Sequence, residues 1–179
     1  MAINNIVDES FIINQKKLKQ FGDRCSNVKI GIMGGTFDPI HYAHLATAEF
    51  IRDNYKLDKI LFIPSGNPPH KKGNITDKYN MVLLSTVNND DFIVSDIEIK
   101  REKSTYTIDT LKVLKQIYKN AEIYFITGAD AICDIETWKD VEGNFKLANF
   151  IAATRPGISL LRANEKIKEL KDKYNANIE

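Results

Sequence analysis

The sequence predicts an α/β fold: a Rossmann-like, doubly wound parallel sheet of about five to six strands in a single domain. Three observations predict it. Five short runs rich in β-branched and aromatic residues recur along the chain. The segments between them carry apolar residues at i, i+3 and i+4, as helices with one buried face do. Strict alternation of the two types over 179 residues, 43% of them hydrophobic, suits one sheet with helices on both faces.

Residues 1–27 form an N-terminal extension ahead of a domain spanning 28–179. Phe11, Leu18 and Phe21 share one face of a short helix, and the extension is either docked on the domain or loosely held. The first strand candidate is "VKIGIM" at 28–33. It breaks into Gly34-Gly35, after which Asp38 and Pro39 read as the N-cap and first position of a helix continuing through "HLATAEFIRDNY". "KILFIP" at 59–64 is the second strand, and "DKYNMVLLSTV" the next helix. "DFIVSDIEI" at 91–99 alternates like a third strand, followed by the helical "TIDTLKVLKQIYK". "EIYFIT" at 122–127 and "NFIAAT" at 149–154 complete the five. The tail "ISLLRANEKIKELKDKY" reads as an amphipathic helix, and "NANIE" as the approach to a further strand.

Composition narrows the function classes. Twenty-five lysines and arginines against 24 acidic residues leave no basic field for wrapping nucleic acid and no polybasic membrane signal. Cys25 and Cys133 stand far apart, outside any CxxC or zinc-finger spacing. The first 27 residues lack the apolar core of a secretory signal, and a cytoplasmic location is the expectation. Homo-oligomerisation is left open by the sequence.

In doubly wound folds ligands sit at the carboxyl ends of the strands. The chemistry gathers there. Gly34 and Gly35 let a ligand approach the main chain, and the following helix start offers amides to an anion. His41 and His44, at i and i+3, share one face of the first turn and suit a bound triphosphate. The glycine spacing is neither the P-loop nor the GxGxxG pattern. Two histidines at this spacing outside an HExxH context are also found as plain capping or surface residues.

"GGTFDPIHYAHL" resembles the (H/T)xGH signature of nucleotidyltransferases, and the whole chain resembles the bacterial nicotinate-nucleotide adenylyltransferases. Similar pieces occur in that family's order: "PPHKK", "KYNMVLL", "STYTIDTL", "GADAICDIETW" and "ATRPG". The resemblance implies adenylyl transfer from ATP to nicotinate mononucleotide in NAD biosynthesis, with Mg2+ carried mainly by the ATP phosphates. It implies catalytic roles for His41 and His44. Gly34, Gly35, Thr36, Phe37, His70, Lys71, Gly128, Asp130 and Arg155 would bind ATP, and Thr105 and Trp138 the nicotinate nucleotide. Each has a plainer alternative: His70 and Lys71 a solvated basic turn, Asp130 an N-cap, Arg155 a turn closure, and Trp138 a core residue. Glu98, Arg101 and Asp109 read equally well as a structural ion-pair set and are left out of the site. The chain departs from the family at Ala43, usually glycine, and at Lys78, commonly arginine, and the family's ISSTxIR segment is absent, which leaves an inactive nucleotide-binding fragment as one alternative. A sister enzyme acting on phosphopantetheine or using CTP is the other.

Overall fold

A computed structural model of the protein describes residues 2–22, 26–66, 75–101, 104–154 and 160–179. Five strands, β1 (Ser26–Gly35), β2 (Lys59–Pro64), β3 (Phe92–Val94), β4 (Asn120–Gly128) and β5 (Asn149–Ala153), form one sheet. Its order is β3-β2-β1-β4-β5, and every pairing is parallel. Parallel strands need crossovers, supplied by α2 (Tyr42–Tyr55) after β1, α3 (Ile75–Thr86) after β2, α4 (Thr107–Ile117) after β3, and α5 (Ala129–Cys133) with α6 (Val141–Leu147) after β4, while α1 (Ala2–Gly22) precedes β1 and α7 (Leu160–Tyr174) follows β5. Alternate residues of the strands feed two apolar layers. Ile30, Ile32, Phe125 and Phe150 belong to one, and Met33, Phe62, Ile126 and Ile151 to the other. β2 is buried from Ile60 to Pro64 without alternation, as a strand covered on both faces should be.

The expected third strand is much shorter than 91–99. After Val94 the Ser95 hydroxyl accepts from the Ile97 amide, and the chain turns. Ile97 then packs on one apolar layer and Ile99 on the other, which two residues of one strand at i and i+2 do not do. At the C-terminus Ile178 bridges Phe150 in parallel and Glu179 exchanges backbone hydrogen bonds with β5, so "NANIE" does begin a sixth strand position.

The N-terminal extension docks. α1 packs along α3 and β3, but its inner face differs from the expected one. Phe21 is buried and Leu18 packs against the core, while Phe11 is 43% exposed. The inward stripe is Ser10, Asn14, Lys17, Leu18 and Phe21, partly polar because it meets an edge strand with open backbone groups. The Asn14 amide donates to the Val94 carbonyl at 2.9 Å and accepts from the Val94 amide at 2.9 Å, completing β3 as a neighbouring strand would.

Candidate active site

From β1 the chain steps outward through β2 and β3, then returns past β1 to lay down β4 and β5 on its other side. The connections leaving β1 and β4 therefore diverge, and a crevice opens between their carboxyl ends. Gly34–Phe37 and Thr127–Gly128 border it. Two hollows meet there, one of about 480 Å³ and one of about 290 Å³, sharing Gly34, Gly35, Thr36 and Thr127 as a common wall.

The larger hollow takes in the glycine loop and the start of α2. That start lies further along than the Asp38–Pro39 reading placed it: Tyr42 is the first helical residue and His41 the N-cap. The Asp38 carboxylate is not free to cap, because it pairs with the ammonium of Lys78 on α3 at 2.8 Å. Ile40, buried, draws the intervening segment into the core. His41 and His44 thus stand at N-cap and N3, their rings stacked with centroids 3.8 Å apart. The His41 amide donates to Nδ1 of His44 at 3.3 Å. A nitrogen that accepts carries no proton, so the neutral ring holds its proton on Nε2. Phe37 adopts a left-handed φ of 45° and is buried edge-on to the His44 ring at 5.2 Å. A Cβ on Gly35 would meet the Phe37 ring at 3.2 Å, so a side chain there would require the ring to give by a few tenths of an ångström. Gly128 is the N-cap of α5, and Asp130, exposed, faces the same hollow from that helix, which sets aside the reading of Asp130 as an N-cap.

The smaller hollow contains Thr105 and Trp138. Trp138 is part core and part wall: it packs edge-on against Phe125 at 6.0 Å while its remaining surface lines the cavity. It follows a 3-10 turn, Ile135–Thr137, and Glu136 of that turn is bound by Lys166, by Lys173 at 2.7 Å and by the Tyr174 hydroxyl at 2.9 Å, all on α7. Hydrogen bonds from Lys166 first, then Lys173 and Tyr174, bring the Glu136 carboxyl down to about 2. A carboxyl lowered on folding adds stability above its unfolded pKa near 4.5 and loses it as pH falls toward 2. Glu136→Gln is therefore expected to be less stable than wild type at pH 6 and indistinguishable from it near pH 2, as read by denaturant unfolding at several pH values. A difference unchanged across that range would disprove the linkage.

Of the sequence-predicted residues, the structure brings His41, His44, Gly34, Gly35, Thr36 and Phe37 together in the larger hollow with Gly128 and Asp130. Thr105 and Trp138 meet in the smaller one. His70, Lys71 and Arg155 lie outside the described residues. The expected ion-pair set is rearranged: Arg101 donates to the Thr110 hydroxyl and the Asp109 carbonyl, the Asp109 carboxylate pairs with Lys139, and Glu98 lines the smaller hollow. The ion-pair reading sets Glu98 apart from the site residues, whereas the turn after Val94 brings it to the smaller hollow. Lys78, only 5% exposed, was visible as a departure but not as the partner of Asp38. Among the described residues no helix is long and apolar enough to cross a membrane.

This geometry has close counterparts. The cytidylyltransferase-like family profile matches residues 32–176. The protein named "Probable nicotinate-nucleotide adenylyltransferase" from Thermoanaerobacter sp. (strain X514) is 53% identical over 152 residues, covering 82% of this chain and 72% of its own. A protein of the same name from Desulfitobacterium hafniense (strain Y51) is 51% identical, covering 78% and 70%. Among solved structures, Plasmodium falciparum nicotinic acid mononucleotide adenylyltransferase complexed with NaAD superposes with a TM-score of 0.69 at 28% identity, over 78% of this chain and 71% of that one. A crevice at the switch point, two stacked histidines at a helix start and a tryptophan-walled pocket beside them thus occur in a chain that belongs to the nicotinate-nucleotide adenylyltransferases of the cytidylyltransferase-like family.

Proposed function

We propose that this chain transfers the adenylyl group of ATP to nicotinate mononucleotide, giving nicotinate adenine dinucleotide and pyrophosphate. The observation that carries the reading is the pair of hollows meeting at Gly34–Thr36. A reaction joining two nucleotides through their phosphates needs two adjoining pockets whose shared wall admits phosphate to the backbone.

The nucleophile is a phosphate oxygen of the mononucleotide. With a second pKa near 6, roughly nine in ten such phosphates are dianions at pH 7, so the site needs no general base. Attack on the α-phosphorus of ATP forms the new P–O bond as the bond to pyrophosphate breaks. The protein's task is to hold two polyanions in line and offset the charge that develops. His41 and His44 face that charge, with Nε2–H of His44 as donor, and the loop Gly34–Phe37 and the α2 amides cradle phosphate. Gly128 and Asp130 border the ATP side, and His70, Lys71 and Arg155 remain part of the proposed ATP site on the strength of the resemblance. Thr105 and Trp138 receive the nicotinate ring, whose pyridinium charge an indole face attracts.

Magnesium enters this scheme on the ATP phosphates. The larger hollow offers the carboxylates of Asp38 and Asp130 among imidazole, hydroxyl and backbone groups, a lining that suits an ion which keeps its waters and is carried by substrate phosphates rather than by a protein cage. A cytoplasmic location suits an enzyme that draws on ATP.

Pyrophosphate release from ATP, with nicotinate mononucleotide, its amide and phosphopantetheine compared as acceptors, tests the function. Turnover preferring nicotinate mononucleotide is expected, and turnover only with phosphopantetheine would overturn the reading. In the same assay Trp138→Ala is expected to raise KM for nicotinate mononucleotide about 10- to 30-fold, the value of a lost cation–π and stacking wall, with KM for ATP nearly unchanged. Equal effects on both KM values would remove Trp138 from the nicotinate pocket.

A further inference from the structure

Glu98 is the sole charged side chain among the described residues that line the smaller hollow. Isolated carboxylates are rarely held in such a position, because burial disfavours the anion unless hydrogen bonds replace its water. Here burial raises the Glu98 pKa, and hydrogen bonds from Thr110, Thr105 and the Gly66 amide, together with the nearby Arg101 charge, oppose the rise. The Thr110 hydroxyl donates to Oε1 at 2.8 Å and accepts from Arg101 Nη1 at 3.2 Å, so the carboxylate and guanidinium are coupled through it.

Those partners come from two parts of the chain: Gly66 lies on the loop leaving β2, and Thr105 and Thr110 stand either side of the start of α4. Both parts border the hollow, as does the turn that carries Trp138. The fit at Gly66 is exact enough that a Cβ there would come within 2.0 Å of the Glu98 carbonyl oxygen.

We propose that Glu98 is the positioning residue of the pyridine-nucleotide pocket, fixing Thr105 and the loop leaving β2 in the wall they share with Trp138. The inference rests on the adenylyltransferase reading given above. Glu98 acts through its partners: its anion gathers donors from the loop leaving β2 and from the start of α4, which share no other common acceptor among the described hydrogen bonds, and without it the pocket wall loosens while the ATP side stays built. The larger hollow is formed by the glycine loop, α2 and α5 and has no contribution from Glu98.

The test uses the chain's one tryptophan, Trp138, as reporter. Wild type, Glu98→Gln and Thr110→Val are titrated with nicotinate mononucleotide while Trp138 fluorescence is followed, and pyrophosphate release and thermal midpoints are measured in parallel. Glu98→Gln is expected to weaken mononucleotide binding about 10-fold and Thr110→Val about 3-fold, with kcat and KM for ATP within about 2-fold, since each variant loses one or more hydrogen bonds to a charged group. Thr110→Val keeps the carboxylate and carries the test if Glu98→Gln does not fold. Wild-type mononucleotide affinity in a folded variant overturns the proposal, as does an equal loss of ATP affinity, the mark of a purely structural role. A wild-type chain that neither responds to the mononucleotide nor releases pyrophosphate overturns the underlying reading instead.

Discussion

His44→Ala is expected to lower kcat for adenylyl transfer by about 10²–10³-fold, the effect of removing one preorganised donor to developing negative charge. KM for nicotinate mononucleotide is expected to stay within about 3-fold, because the loss falls on the transition state rather than on ground-state binding. The structural argument is specific. The His41 amide occupies Nδ1 of His44, Phe37 supports the ring from its edge, and the His41 ring stacks on it, so Nε2–H is held in one direction before substrate arrives. Alanine removes that donor and costs the helix only part of its N-terminal cap, about 1 kcal/mol or less. Single-turnover kinetics with saturating ATP separates chemistry from product release. A His44→Ala enzyme with an unchanged chemical step would disprove the role.

The second large effect is on stability. Asn14→Leu is expected to cost about 3 kcal/mol, because it leaves the Val94 N–H and C=O buried beneath α1 with neither partner nor water. For a chain of this size that corresponds to a fall in thermal midpoint of roughly 6–12 °C. Asn14 is 3% exposed, and leucine keeps its branched skeleton with bulkier methyl groups, so no cavity forms and any packing cost comes from slight overfilling. A shift below about 2 °C by calorimetry would show that α1 is not integral to the fold, since the Asn14 pairing is its main polar tie to the sheet edge. Activity of the folded fraction is expected to be unaltered, as Asn14 is remote from both hollows.

How much of this was legible beforehand depends on whether the interaction was local. β2 was located to the residue, because a continuous apolar run ended by proline has one reading. That the glycine loop and the two histidines gather at one place was legible, since loop, helix start and strand end all lie within about a dozen residues, and the structure brings them around one hollow. α5, α6 and the 3-10 turn between them went unseen. They are short, and tertiary contacts rather than repeated apolar periodicity hold them.

The misreadings have one cause. The sequence placed the N-cap at Asp38 because capping propensity is local, but Lys78, forty residues on, takes that carboxylate and the helix begins at His41 instead. It drew β3 through Glu98 because alternation is local, whereas Ile97 and Ile99 are claimed by opposite faces of the sheet. It turned Phe11 inward because apolar residues are counted as buried, yet the edge of β3 needs an amide more than a phenyl ring. Strand order, the crevice at the β1/β4 switch and the pairing of the two hollows likewise arise from contacts between residues far apart in the chain. Periodicity and motif record what each segment prefers by itself. Which buried polar group meets which partner depends on desolvation, and that free energy exists only once the segments are brought together.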